Sequence, residues 1–149
     1  EGTHTVQAAL HLDMTTPNSS GVLLYAFVEN LELIGTGNFS GKGNSGNNVI
    51  KGNSGGNFIE GRGGNDTLYG GQGGDTFVFG PGSGVDTIED FSATDNDWID
   101  VGYYSGGTAY GAGITITQSG SDTVIDFGGG NTVTVLNSVQ ADVAAHVSW

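Results

Sequence analysis

The stretch that decides the fold runs from Gly43 to Val78 and divides without a gap into GNSGNNVIK (43–51), GNSGGNFIE (52–60), GRGGNDTLY (61–69) and GGQGGDTFV (70–78). The first place of each ninefold unit is Gly43, Gly52, Gly61 or Gly70, and the fourth is Gly46, Gly55, Gly64 or Gly73. The sixth is Asn48, Asn57, Asp66 or Asp75, and the eighth is Ile50, Ile59, Leu68 or Phe77. Self-similarity at a short fixed period marks a chain that stacks on itself, because one such unit has too little apolar surface for a core. Six residues rich in Gly and Asn form a turn, since these types accept positive φ and leave the backbone carbonyls bare. The remaining three form a strand whose middle side chain points away from its two neighbours. The period therefore predicts Ile50, Ile59, Leu68 and Phe77 in two facing apolar rows. Two units complete one coil, so Asn48 stacks with Asp66 on one edge and Asn57 with Asp75 on the other. Oxygen side chains held at strand spacing, about 5 Å, repel when charged and become ligands when Ca²⁺ sits between them. Asp66 and Asp75 are then the charged ligands and Asn48 and Asn57 their neutral partners. Carbonyls of the turn residues Arg62, Gly64, Gly71 and Gly73 complete the oxygen set.

The composition narrows the alternatives. Glycine makes up 29 of 149 residues but proline only 2, which excludes collagen and a proline-stiffened linker. A hydrophobic share of 36% is too high for a disordered glycine tract. Sixteen acidic residues against three basic ones give a net charge of −13, and the basic residues Lys42, Lys51 and Arg62 all lie in the first 62 positions. Such a surface repels nucleic acid and anionic membranes, and it opposes its own compaction unless a cation binds. With no cysteine, any staple is a hard cation held by oxygen, and calcium is the first candidate. No apolar run approaches the length of a membrane span, and no basic-then-apolar leader is present, so the chain reads as an excised or mature piece.

The nonapeptide resembles that of the RTX, or repeats-in-toxin, family. The resemblance implies a right-handed parallel β-roll with calcium between adjacent turns. It also implies a secreted protein, passed unfolded through type I secretion machinery until it meets extracellular calcium. GTHTVQAAL (2–10) and VENLELIGTGNFSG (28–41) are similar to the lead-in strands of such rolls. DTFVFGPGSGVDTIEDF (75–91) and DNDWIDV (95–101) are similar to the closing segment, and VTVLNSVQADVAAHVSW (133–149) to the loosely defined export tails. Asp86 and Asp90, spaced by four around Ile88, fall where the next turn would, and the family often uses such residues for a closing calcium. Glu89, Asp95 and Asp97 read as a solvated acidic face, with Asp100 fixing a strand end. Asn rather than Asp at two sixth positions lowers the ligand charge, so the upstream sites are expected to be fewer and weaker.

The expected fold is all-β, a single domain over 1–149 built on a short right-handed parallel β-roll with flanking capping strands. Residues 1–34 cap one end around a turn at Thr16–Gly21, 35–80 form the roll, and 81–149 close it and carry the secretion segment. Strands are expected near 87–91, 98–101, 114–117, 123–127 and 132–136, separated by turns at Gly106, Gly120 and Gly128–Asn131, with the last two strands a hairpin. Residues 139–147 fit either a short helix or a frayed tail. His4, His11 and His146 sit in no nucleophile elbow or HExxH arrangement, so no catalytic residue is assigned. The expected function is a non-catalytic calcium-binding module that folds on meeting extracellular Ca²⁺. Two rival functions share the sequence. One is a polysaccharide-binding module like those that follow alginate epimerase catalytic domains, with Trp98, Tyr103, Tyr104 and Tyr110 as stacking faces and Lys42, Lys51 and Arg62 as a basic strip. The other is a surface or adhesin role in which calcium stiffens a stalk, for which four nonapeptides are short.

Overall fold

Alternation of turn and strand extends well beyond the four repeats. In the computed structural model, which describes residues 2–15, 25–102 and 113–149, the strands are β1 (Thr5–Ala8), β2 (Leu12–Asp13), β3 (Asn30–Leu33), β4 (Ser40–Lys42), β5 (Val49–Lys51), β6 (Phe58–Glu60), β7 (Thr67–Tyr69), β8 (Thr76–Val78), β9 (Val85–Ile88), β10 (Trp98–Asp100), β11 (Thr115–Ser119), β12 (Asp122–Gly128), β13 (Asn131–Val135) and β14 (Val147–Ser148). A short helix, α1 (Gln140–Ala145), precedes β14. Successive strands alternate between two sheets, ordered β1-β3-β5-β7-β9-β13-β12-β11 and β14-β10-β8-β6-β4-β2. Pairing is parallel from β1 to β9 in the first sheet and throughout the second. The protein is a parallel β-roll.

Register turns the eighth place of each repeat into two continuous rows. Leu31, Ile50, Leu68 and Ile88 lie directly beside one another in the first sheet. Ile59, Phe77, Ile99 and Val147 do so in the second. Ile50, Ile59, Leu68 and Phe77 are fully buried, as the period predicts. The row in the second sheet thins at Gly41, where an added Cβ would press on Leu31 and Ile50 from the opposite sheet. Truncating a fully buried row member removes contacts to both neighbouring coils and leaves a cavity that short strands cannot collapse around. Leu68→Ala is expected to cost about 2–5 kcal/mol in denaturant unfolding at saturating Ca²⁺. The outward-facing Thr67→Ala should change stability by less than about 0.5 kcal/mol.

The described residues of 1–34 run on from the roll at the end where capping strands are expected. β1 and β3 pair in parallel with the roll, and β2 pairs with β4, so the described part of this segment supplies additional coils. These coils escape the nine-residue pattern because IGTGNFSGK (34–42) carries Phe39 where the repeats carry Asn or Asp and Gly41 where they carry an apolar residue. The turns expected at Thr16–Gly21 and at Gly106 lie outside the described residues. Downstream, the roll continues past residue 80 through β9 and β10 before it is closed. The hairpin of β12 and β13 turns at Gly128–Asn131 as expected, β11 adds an antiparallel edge, and β13 joins the parallel roll through β9. Residues 140–145 are helical, with Val143 buried, and β14 pairs with β10. The tail expected to serve as a loose export signal is therefore folded into the end of the roll.

Candidate metal centre

Stacked turns bring the sixth places together in two ladders, one on each edge. On the first, the backbone N–H of Asn48 donates to Asp66 Oδ1 at 2.7 Å and that of Asp66 to Asp86 Oδ1 at 2.9 Å. On the second, Asn57 N–H donates to Asp75 Oδ1 at 2.7 Å and Asp75 N–H to Asp97 Oδ1 at 2.8 Å. Each ladder residue stands two before an inward-facing side chain, as in Asp66–Leu68 and Asp97–Ile99, so the strand that fills the core also fixes the carboxylate in the turn. All six ladder residues are buried.

The second oxygen of each carboxylate distinguishes these positions. The other Asp97 oxygen accepts the Ser92 N–H at 2.8 Å, and Asp86 is also bonded by the Ser83 side chain. Among the described residues, Asp66 Oδ2 and Asp75 Oδ2 are the buried side-chain atoms with no hydrogen-bond partner. A methyl group at Gly61 would collide with Asp66 Oδ2, and one at Gly70 with Asp75 Oδ2, so each orphaned oxygen lies in the bend of its own turn. Arg62 and Gly64 in one turn, and Gly71 and Gly73 in the other, hold φ between 72° and 111°. This left-handed backbone suits glycine and is uncommon for arginine.

An ionised carboxylate with a bare buried oxygen is expensive, and its carboxyl keeps a proton unless a cation arrives. Burial pushes Asp66 up to about 6. It pushes Asp75 up to about 7, and the carboxylates of Asp97, Asp90 and Asp95 raise that group further. Burial likewise lifts Asp86 to about 7, with Asp66 adding to the rise, and it raises Asp97. No three Asp, Glu or His side chains converge on one point among the described residues, so a cation here needs backbone carbonyls as well. Carbonyls are at hand. Gly61 O and Gly46 O both point into the space between turns 43–48 and 61–66, close to the Cα atoms of Gly43 and Gly64 respectively. Gly70 O and Gly55 O take the equivalent places on the other edge, close to Gly52 and Gly73. Hard, anionic and carbonyl oxygens in a flexible turn form the donor set that Ca²⁺ prefers. The residues fit the ion.

Several sequence expectations are changed by the geometry. Asp90 is not in either ladder: its two oxygens accept the N–H groups of Gly70 and Gly71 at 2.8 and 3.0 Å, tying the next coil to the turn. The ladder position belongs to Asp97, read from sequence as part of a solvated face. It was hidden because 22 residues, rather than 18, separate it from Asp75. Asn48 and Asn57 also differ from the aspartates, since their Oδ1 atoms accept N–H groups of their own turns, from Asn44 at 2.9 Å and Asn53 at 2.7 Å. The basic strip does not exist as a strip. Lys42 lies in one sheet and Lys51 in the other; Lys42 pairs with Glu60 at 2.9 Å, Lys51 sits over the Tyr69 ring, and Arg62 pairs with Asp13 at 2.7 Å. Trp98 packs against His146, ring centroids 5.3 Å apart, while Tyr103, Tyr104 and Tyr110 lie outside the described residues.

A family model of the RTX calcium-binding nonapeptide repeat matches residues 42–77 in four copies. Residues 42–77 are RTX calcium-binding repeats. The match coincides with the stretch in which the orphaned carboxylate oxygens and the left-handed turns occur, and RTX repeats bind Ca²⁺. The RTX array covers about a quarter of the chain, and the coils on either side continue its sheets without its signature. No curated protein matches the chain. No helix among the described residues is long and apolar enough to cross a membrane.

Proposed function

We propose that this chain is a calcium-triggered folding module of a secreted protein, exported with its roll unformed and closed by Ca²⁺ outside the cell. Asp66 and Asp75 supply the charged ligands, and carbonyls of the flanking turns, among them those of Arg62, Gly64, Gly71 and Gly73, supply the remainder. Bound Ca²⁺ would provide charge neutralisation and crosslinking between coils, with no chemical step. The observation that carries this reading is the pair of buried, unpartnered carboxylate oxygens, Asp66 Oδ2 and Asp75 Oδ2, in a chain of net charge −13. At low free Ca²⁺ and neutral pH those groups favour the unfolded chain, where water solvates them. At the higher free Ca²⁺ met outside the cell, binding to the folded state alone stabilises it by mass action.

The test is circular dichroism with thermal melts, in EDTA and in millimolar Ca²⁺ at neutral pH. The reading expects β-sheet signal and a cooperative melt with Ca²⁺, and loss of both with the chelator. Identical spectra and melting points in the two conditions would refute it.

A further inference from the structure

The six-residue turns are of two kinds. In turns 61–66 and 70–75, the second and fourth residues are left-handed and the sixth is an aspartate with one bare oxygen. In turns 43–48 and 52–57 no residue has positive φ, and Asn side chains close the loop. Asn44 Oδ1 accepts the Gly46 N–H and Asn53 Oδ1 the Gly55 N–H, each at 2.8 Å. The carboxamide N–H₂ groups reach the carbonyls of the coil before. Asn44 Nδ2 donates to Tyr25 O at 3.0 Å and to Val28 O at 2.9 Å, and Asn48 Nδ2 to Val28 O and Glu29 O at 3.2 and 3.3 Å. On the opposite edge, Asn53 Nδ2 donates to Gly37 O at 3.0 Å, and Asn57 Nδ2 to Asn53 Oδ1 at 3.1 Å.

The Asn44, Asn48 and Asn53 donors occupy carbonyls of the coil before, while the Asn57 donor caps the Asn53 side-chain oxygen of its own turn. An N–H₂ group there satisfies the oxygens, carries no negative charge, and turns positive hydrogens toward any incoming ion. The same end of the roll has an internal cation as well. The Arg62 guanidinium clamps Asp13 through both carboxylate oxygens, at 2.8 and 2.7 Å, touches Thr15 Oγ1, and reaches Gly43 O at 3.3 Å. Burial works to raise the Asp13 carboxyl, but the bonds from Arg62 and Thr15 outweigh it and hold the group below its ordinary value.

We infer that the upstream face of turns 43–48 and 52–57 is a metal-free closure, in which Asn44, Asn48, Asn53 and Asn57 carboxamides stand in for calcium. Calcium is thereby confined to the downstream faces, against Asp66 and Asp75. The inference rests on the calcium reading above and adds to it a boundary: the roll changes from amide-closed to cation-closed between Asn57 and Gly61.

Isothermal titration of the full chain with CaCl₂, after chelation, tests this. The double variant Asn48→Asp/Asn57→Asp opens two new sites, so it is expected to bind two more Ca²⁺ than the unaltered protein and to need more free Ca²⁺ before it folds. An unchanged ion count would overturn the inference. A second variant, Asn48→Ala/Asn57→Ala, guards against failure of the first to fold. It is expected to keep the unaltered ion count while melting lower in saturating Ca²⁺, whereas loss of bound ions would show those asparagines to be ligands and overturn the inference. If the unaltered protein itself binds no Ca²⁺, the calcium reading fails, a result distinct from either of these.

Discussion

Asparagine at both Asp66 and Asp75 is expected to give a roll whose melting point no longer responds to calcium. Each aspartate offers one oxygen to a backbone N–H of the preceding coil and leaves the other bare in the bend of its turn. Asparagine keeps the accepting oxygen and replaces the bare one by an N–H₂ group, which is how Asn48 and Asn57 already meet nearby oxygens. Two effects follow, one in each condition. In EDTA the double variant should be the more stable protein, by about 1–3 kcal/mol per site, because a buried, unsatisfied charge has been removed. In Ca²⁺ the unaltered protein gains stability and the double variant does not. A site filled at 100 times its Kd contributes about 2.7 kcal/mol, so losing two sites removes about 5 kcal/mol. For a chain of this size that corresponds to a calcium-dependent rise in melting point of about 10–20 °C in the unaltered protein, and to no rise in the double variant. The measurement is a pair of calorimetric scans for each protein. Retention of a full calcium-dependent rise by the double variant would remove Asp66 and Asp75 from the ligand set.

The legible part of the molecule is the part in which one physical requirement repeats at one spacing. The eighth places had to be apolar and the sixth places had to bear oxygen, so Ile50 to Phe77 and Asn48 to Asp75 could be assigned to rows and ladders from sequence. The coils at both ends keep the requirement but lose the spacing. Asp86 and Asp97 follow their upstream partners by 20 and 22 residues because the intervening turns are longer, yet each still precedes an inward-facing residue by two. That short motif, Asp followed by any residue and then an apolar one, is met by Asp66, Asp75, Asp86 and Asp97 and not by Asp90, which precedes Phe91 and Ser92. Upstream, Phe39 and Gly41 break the motif itself, and only the backbone pairing of β2 with β4 and of β4 with β6 reveals a coil. The orientation of the Asn carboxamides was not legible at all. Asn and Asp have nearly the same shape, and only the neighbouring N–H and C=O groups decide whether the sixth place donates or awaits a cation.

Protons and calcium should compete for the same oxygens, which reverses the pH dependence of stability when calcium is added. In the unfolded chain these carboxyls titrate near the ordinary value of 3.8, whereas burial raises Asp66 to about 6 and Asp75 and Asp86 to about 7. Between those limits the folded protein holds more protons than the unfolded one, so metal-free stability is complete below about pH 4 and is lost as pH rises toward 7. The loss approaches about 1.4 kcal/mol per pH unit for each group that titrates in the folded state alone, which is large against the total stability of a small domain. The metal-free roll should accordingly be folded near pH 4–5 and largely unfolded at pH 7.5. With Ca²⁺ in excess the carboxylates are held ionised, protonation must displace the ion, and stability should instead fall as pH drops from 7 to 5. Over the same range the proton that has to leave should weaken the affinity for Ca²⁺ by about 10-fold at Asp66, which titrates at about 6, and by about 50-fold at Asp75, at about 7. Thermal melts from pH 4 to 8 in EDTA and in Ca²⁺ should give two curves of opposite slope that cross in the acid range. Parallel curves would mean that the groups taking up protons are not those that hold the metal.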